Sequence, residues 1–245
     1  MQSTIVATDL GSLPDGGFED QTPIYQANEH LLKKTTQSAQ GYQDLSFGDK
    51  LAFQIDEVIS TDESRRIIEY TEALGFRQAA PGIQTPPGMR QNTTVHWMAH
   101  PRDVDILFSR IEEFVPPVIE NRQSMGVLSH RFNTYRYTAG QQFRPHLDGD
   151  WPGFFVNSKT QALEYWKKGR SMLSMLLYLN GQDEGVIGGD TLLLDGQTVM
   201  RRVNPVCGRA LFFRHGIHTK SVLHAGDVLA EGASKYVVRI NVMYQ

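Results

Sequence analysis

After Leu128 the hydrophobic pattern of the chain changes to period two, and this narrows what it can fold into. Arg131, Asn133, Tyr135 and Tyr137 fall on one face of an extended segment, with Phe132 and Thr134 on the other. MLSMLLYL is a nearly continuous apolar run of strand length, as a strand covered on both faces requires. TLLL, QTVMRRV, CGRALFF, KSVLH and KYVVRINVMY come next as short segments divided by turn residues, with no helical pattern between them. Many short strands without alternating helices predict a sandwich or barrel rather than a parallel sheet.

The region before this is mixed. Residues 1–45 combine Gly, Pro, Asp, Gln and Thr with little periodicity and read as an extended N-terminal arm, which leaves 46–245 as a single domain. Leu51 to Ile59 alternates like a strand. Ser60 and Glu63 then form a capping-box signature, and Ile67, Ile68, Thr71 and Leu74 continue as a helical stripe that Gly75 ends. Pro101 opens a second helix on Val104, Leu107, Phe108, Ile111, Phe114 and Val115, stopped by Pro116 and Pro117. Both helices are expected to buttress one sheet. Phe76 to Arg90, rich in Pro and Gly, reads as a loop at a functional edge, and Trp151 to Arg170 as a lid or insertion.

Composition excludes more than it assigns. A chain of 245 residues that is 40% hydrophobic and 21% charged can bury a sizeable core. A net charge of −3 argues against a general nucleic-acid or acidic-membrane binder. The single Cys207 supplies neither an internal disulfide nor a thiolate cluster, and reads as a buried strand residue. With no signal-like segment and no apolar run near the roughly 20 residues of a membrane span, the expected compartment is cytoplasmic.

Within the period-two region lies YTAGQQFRPHLDGD, from Tyr137 to Asp150. His146 and Asp148 stand two apart, so on an extended strand both leave the same face and can reach one ion. One more His would complete a two-His-one-carboxylate facial triad, which leaves positions open on non-haem Fe(II). His224 is the candidate, since a Gly-containing turn and a strand with Lys235 and Arg239 follow it; a cation there can hold a dicarboxylate co-substrate. His215 and His218 compete for the role, whereas His30, His96, His100 and His130 read as surface or packed histidines.

Here the sequence resembles the Fe(II)/2-oxoglutarate-dependent dioxygenases, on the prolyl 4-hydroxylase-like branch. Tyr137, Gly140, Phe143, His146 and Asp148 follow that family's spacing, and four blocks come after in its order: Tyr178 to Asn180, Gly188 to Thr191, Gly208 to Phe213, and the His224 block. The resemblance covers about 130–245. It implies a mainly β fold with flanking helices, the double-stranded β-helix (jelly roll, cupin-like), and a dioxygenase using Fe(II), 2-oxoglutarate and dioxygen, with ascorbate as reductant. It also implies His146, Asp148 and His224 as metal ligands and catalytic residues, and Tyr137 and Thr191 as hydrogen-bond donors to 2-oxoglutarate. The family places its 2-oxoglutarate cation about ten residues after the distal His; here Lys235 stands eleven on and Arg239 fifteen. Strand alternation turns both to one face, and Arg239 is favoured because its planar fork matches a carboxylate. An intact Asp148 favours hydroxylation or another oxidation over halogenation, since halogenating relatives lose that carboxylate.

For substrate, the Pro/Gly loop and the Trp151 to Arg170 segment bracket the His146 strand and can cover its mouth. Arg90, Asn92, Arg131, Asn133 and Tyr135 then offer a few polar groups to a shielded pocket, which suits a small polar molecule, anionic or zwitterionic and amino-acid-like. A peptidyl prolyl residue is the alternative that the resemblance supplies. Outside this class stand a cupin-like ligand binder, a metal-dependent hydrolase and a non-catalytic metal/2-oxoglutarate sensor, because fold alone does not fix function.

Overall fold

A computed structural model describes residues 3–12, 18–34, 39–78 and 88–245, with the backbone alone for 10–12 and 18–20. The chain opens with β1 (Ser3–Ser12), β2 (Phe18–Ala27), β3 (Gln40–Asp44) and β4 (Ala52–Asp56). α1 (Thr61–Leu74) begins at the expected box: Ser60 Oγ accepts from Glu63 N at 3.3 Å and Glu63 Oε2 accepts from Ser60 N at 2.9 Å. Gly75 caps its end with φ 85°, a left-handed value. Next come β5 (Arg77–Gln78), β6 (Thr93–Met98) and α2 (Pro101–Ile111), which tightens into one 3₁₀ turn at Glu112–Phe114. The remainder is all strand: β7 (Val118–Ile119), β8 (Arg122–Leu128), β9 (Arg131–Tyr137), β10 (Phe143–His146), β11 (Phe154–Val156), β12 (Leu163–Tyr165), β13 (Arg170–Tyr178), β14 (Thr191–Asp195), β15 (Thr198–Val203), β16 (Ala210–Arg214), β17 (Leu223–Gly226) and β18 (Lys235–Tyr244), apart from a 3₁₀ turn at Gln182–Glu184.

Two sheets face each other. The large one runs β1-β2-β6-β9-β18-β13-β16-β4-β3 and the small one β10-β17-β14-β15. Tyr135, Tyr137, Leu176, Tyr178, Leu211, Phe213 and Val237 of the first pack with Phe143, Leu193 and Val203 of the second. The opposite face of the large sheet is covered by α1 and α2, where Ile67, Tyr70, Val104, Leu107 and Ile111 join Trp97, Phe132, Val238 and Ile240. This is the expected double-stranded β-helix with its helices outside.

Several expectations meet a different local structure. Cys207 lies half-buried in the turn before β16, not in a strand, with its thiol 3.3 Å from Ser64 Oγ. Trp151 to Arg170 contains the β11–β12 hairpin, anchored by Trp166 stacked on Phe155 with ring centroids 5.2 Å apart. Of the Pro/Gly stretch from Phe76 to Arg90, residues 79–87 lie outside the described residues, while Arg77 and Gln78 pair with Thr94 and Thr93. Among the described residues no helix is long and apolar enough to cross a membrane.

Residues of the N-terminal arm add to the large sheet: β2 runs parallel to β6, with Ile24 opposite His96 and Gln26 opposite Met98. Beyond β2 a buried charged cluster fastens the segment Leu31 to Lys33 to both helices. Asp103 accepts from the amides of Leu31 and Leu32 at 2.7 and 3.2 Å, and Glu63 accepts from Lys33 N at 2.7 Å. Arg110 closes the cluster with Nη1 and Nη2 on the Glu63 carboxylate at 2.9 and 2.8 Å and Nη2 on Lys33 O at 2.6 Å. Burial pushes the Glu63 carboxyl up, but Arg110 and the amides of Ser60 and Lys33 outweigh it and hold it down at about 2. Replacing Arg110 by Met strands a buried carboxylate, so the urea unfolding midpoint should fall by the equivalent of about 3–5 kcal/mol, and Glu63→Gln in the same chain should restore part of it. Because the Glu63 carboxyl is depressed on folding, its share of stability is complete above the ordinary value of 4.5 and is lost as pH falls through about 2.

Candidate active site

The register of β10 against β17 sets His146 directly opposite His224, and Phe143 opposite Gly226. The two imidazole centroids lie 4.1 Å apart, with Phe143 stacked on His146 at 3.5 Å and Phe213 at 4.3 Å from His224. Asp148 reaches them from outside the strand. β10 ends at His146, so a shared strand face does not align the pair; instead Gly216 N donates to Asp148 O at 2.8 Å and the loop turns the carboxylate back. His146 Nε2 stands 3.9 Å from Asp148 Oδ1 and His224 Nε2 3.8 Å from Oδ2, and one ligand atom from each residue lies within 4.8 Å of the others. His218, with its ring beside Glu120 at 3.6 Å, is outside the cluster.

The hydrogen bonds prepare this cluster for a cation. A carbonyl only accepts, so the Nδ1 atoms of His146, 2.8 Å from Arg144 O, and of His224, 3.2 Å from Val222 O, carry the protons. Each Nε2 lone pair is left to face the other ligands, the arrangement that orients a metal-binding imidazole. Burial holds both rings neutral, pushing His146 down to about 3 with help from His224, and lowering His224 as well. Burial alone would raise Asp148, but the Arg239 guanidinium beside it keeps the carboxyl well below its usual range. Two neutral nitrogens and an ionised oxygen on one side of an ion are the donor set that suits non-haem Fe(II).

The pocket floor is β18, which is in register with β9: Lys235 opposite Tyr137, Val237 opposite Tyr135, Arg239 opposite Asn133. The two cations have different partners. Arg239 Nε donates to Asp148 Oδ2 at 2.9 Å and its guanidinium lies beside the Tyr135 hydroxyl, while its buried Nη2 makes no well-aligned hydrogen bond among the described residues. Lys235, only 2% exposed, sits deeper with Nζ on Gly189 O at 2.5 Å and 4.5 Å from the centre of the Tyr137 ring. Burial pushes it down to about 8 against the pull of Asp190 and Asp227. Thr191 lines the same recess, and because Tyr178 OH donates to its Oγ1 at 2.7 Å, the Thr191 hydroxyl proton is free to point into the pocket.

Toward β6 a polar row continues across the sheet. Arg90 bridges to Phe143, lays its guanidinium 4.5 Å from the Tyr135 ring centre, and gives Nε to Asn92 Oδ1 at 3.2 Å, leaving Nη2 buried and without a hydrogen-bond partner among the described residues. Asn92 is 1% exposed and therefore orients Arg90 from behind. Asn133 Oδ1 lies 2.6 Å from His96 Nδ1, and Arg131 pairs with Asp9 of β1 at 2.6 Å. Burial, then Arg131, hold His96 neutral at about 3. His96, read from sequence as a surface or packed histidine, thus belongs to the site face; its two-residue spacing from Thr94 and Met98 was the available signal. Ser174 was missed too. It donates to Asp148 Oδ2 at 2.5 Å, and the one polar residue inside MLSMLLYL was its trace.

Residues 132–243 match the family model for the 2OG-Fe(II) oxygenase superfamily. Among solved structures the chain is similar to the viral collagen prolyl hydroxylase of Paramecium Bursaria Chlorella virus-1 in its 2OG complex, at 19% identity over 78% of this chain and 95% of that one, with a TM-score of 0.52. A Pseudomonas putida prolyl-4-hydroxylase matches at 19% identity over 78% and 91%, TM-score 0.47. A Trichoplax adhaerens prolyl hydroxylase in complex with a hypoxia inducible factor oxygen degradation domain peptide fragment matches at 16% over 78% and 82%, TM-score 0.48. No curated protein matches the chain. Over residues 132–243 the chain is thus similar to the 2OG-Fe(II) oxygenase superfamily, and it shares the fold of the viral prolyl hydroxylase.

Proposed function

We propose that the enzyme hydroxylates a small polar, anionic or zwitterionic substrate, with His146, Asp148 and His224 holding Fe(II) and Lys235, Tyr137 and Thr191 holding the far carboxylate of 2-oxoglutarate. Bound together, iron and 2-oxoglutarate supply the oxidising power that activates dioxygen. The chain's own part is to orient and to exclude water. Lys235 is the better co-substrate cation of the two, because Arg239 is already committed to Asp148 while Lys235 has three donors and a single acceptor at Gly189 O. A buried ammonium so poorly paired is costly until a carboxylate compensates it.

The observation that supports a small anionic substrate is Arg90, whose buried Nη2 has no hydrogen-bond partner among the described residues and whose guanidinium lies 4.5 and 5.5 Å from the ring centres of Tyr135 and Phe143. A carboxylate bound there would meet Arg90 with Asn133 beside it. Arg131 contributes less, since Asp9 already neutralises it. The prolyl hydroxylase named among the solved structures supports a peptidyl substrate only as an analogy of fold.

Two measurements test this reading. The 2-oxoglutarate Kd, taken with Mn(II) in place of iron, should hold steady below about pH 7 and weaken about tenfold per unit above the Lys235 value of about 8, since the neutral amine must first take up a proton. Lys235→Arg should flatten that dependence, and an unchanged slope would return the role to Arg239. The second is a library of small acids, amino acids and proline-containing peptides, screened for succinate release above the rate without substrate. A small acid should stimulate, and Arg90→Ala should raise its KM about tenfold to a hundredfold, the worth of a charge-assisted hydrogen bond. Stimulation by peptides alone, indifferent to Arg90, points to a peptidyl substrate; no succinate at all with metal and 2-oxoglutarate bound points to a sensor.

A further inference from the structure

Behind Asp148, on the side away from the pocket, a file of buried polar groups runs through an otherwise apolar strand. Trp151 N donates to Ser171 Oγ at 2.9 Å; Ser171 Oγ lies 2.8 Å from His215 Nε2; His215 Nδ1 lies 2.8 Å from Ser174 Oγ; and Ser174 Oγ lies 2.5 Å from Asp148 Oδ2. Ser171 and Ser174 are fully buried and His215 is 1% exposed. The end groups fix every proton. An ionised carboxylate only accepts, so Ser174 donates to Asp148 and must accept from His215 Nδ1–H. His215, held neutral by burial, then has a bare Nε2 that accepts from Ser171, and Ser171 in turn accepts the Trp151 amide.

The backbone is shaped for this file. Residues three apart on a regular strand leave opposite faces, yet Ser171 and Ser174 both reach one imidazole. The pairing of β13 with β18 slips between Ser171 and Leu173, a β-bulge that turns Ser171 to the face of Ser174. The loop that carries Asp148 is clamped to the same strand, since Ser171 N donates to Trp151 O at 2.9 Å and Arg170 grips Asp150 at 2.7 and 3.0 Å.

We propose that Ser174 and His215 are positioning residues for the metal centre: the relay from Trp151, with Arg239, saturates Asp148 Oδ2 and so presents Oδ1 as the single oxygen that meets the ion. A carboxylate oxygen has two lone pairs, and Ser174 and Arg239 occupy both on Oδ2. Each oxygen lies near one imidazole, Oδ1 3.9 Å from His146 Nε2 and Oδ2 3.8 Å from His224 Nε2, so it is the hydrogen bonds to Oδ2 that single out Oδ1. The proposal rests on the reading of His146, Asp148 and His224 as the ligands.

The test is Co(II) titration of the full-length apoprotein, followed by d–d absorption. Ser174→Ala and His215→Ala should each weaken Co(II) binding about tenfold or more, the usual effect of losing a partner behind a metal ligand. Binding should not be abolished, because Arg239 remains. As members of one file they should fail to add: the double variant should bind about as weakly as the weaker single one. Ser174→Thr, which keeps the hydroxyl in a comparable fold, should recover most of the affinity, and the Co(II) spectrum of Ser174→Ala should differ from the parent as the freed carboxylate binds through both oxygens. Parental affinity in both single variants, or additive losses, overturns the relay. Equal loss in the Thr variant assigns the effect to packing and overturns it too. His146→Ala separates the two readings: if it leaves Co(II) binding intact, the ligand set itself is wrong.

Discussion

The whole site hangs on the burial of β18 in the middle of the large sheet, paired with β13 on one side and with β9, then β8, on the other. A strand covered on both faces sends alternate side chains into two environments. Val238, Ile240 and Val242 go to the helical core, while Lys235, Val237, Arg239 and Asn241 go to the space between the sheets. Putting two cations and an amide on that inner face is expensive in an apolar layer, so each must find compensation locally. For Arg239 the loop after β10 provides it by turning Asp148 back to the same place, for Lys235 the carbonyl of Gly189 does, and the register of β10 with β17 brings the two imidazoles alongside.

The two cations solve different electrostatic problems. Arg239 keeps Asp148 ionised where burial would otherwise favour the acid form, so the carboxylate is ready before any metal arrives. Its guanidinium cannot lose its proton at any ordinary pH, which makes the arrangement insensitive to acidity. Lys235, pushed down to about 8, is the opposite kind of group: an ammonium close to neutralisation, and therefore one that gains most when an anion arrives. Sequence alternation placed both on one face correctly. The preference for Arg239 as the dicarboxylate clamp rested on its planar fork; that Asp148 of the same chain accepts from its Nε depends on the fold and is not visible in the sequence.

Local features were legible. The capping box at Ser60, the helix opened by Pro101, the alternation of β9 and the short-strand pattern each depend on neighbours within a few residues, and each appears as read. His146, Asp148 and His224 were legible as types, yet Asp148 converges through a loop rather than a strand face. What sequence hid depends on distant pairing. The bulge that swings Ser171 toward His215 is a slip of register between strands far apart in sequence. His96 enters the site face only because β6 lies beside β9, and β2 pairs parallel to β6 with no hydrophobic pattern in the N-terminal stretch to announce it.

That parallel pairing also decides which cation of the polar row can receive an anion. β1, carried by β2, sets Asp9 against Arg131 at 2.6 Å, so an incoming carboxylate would have to replace an ion pair already made and would gain little in the exchange. Arg90 makes no ion pair among the described residues, and its guanidinium is held in place by the Tyr135 ring and by Asn92. An anion arriving there displaces nothing and pays little side-chain entropy, because the fork is already oriented. On the proposed reading, selectivity for an anionic substrate would therefore concentrate at Arg90, while Arg131 ties Asp9 of β1 to the edge of the sheet.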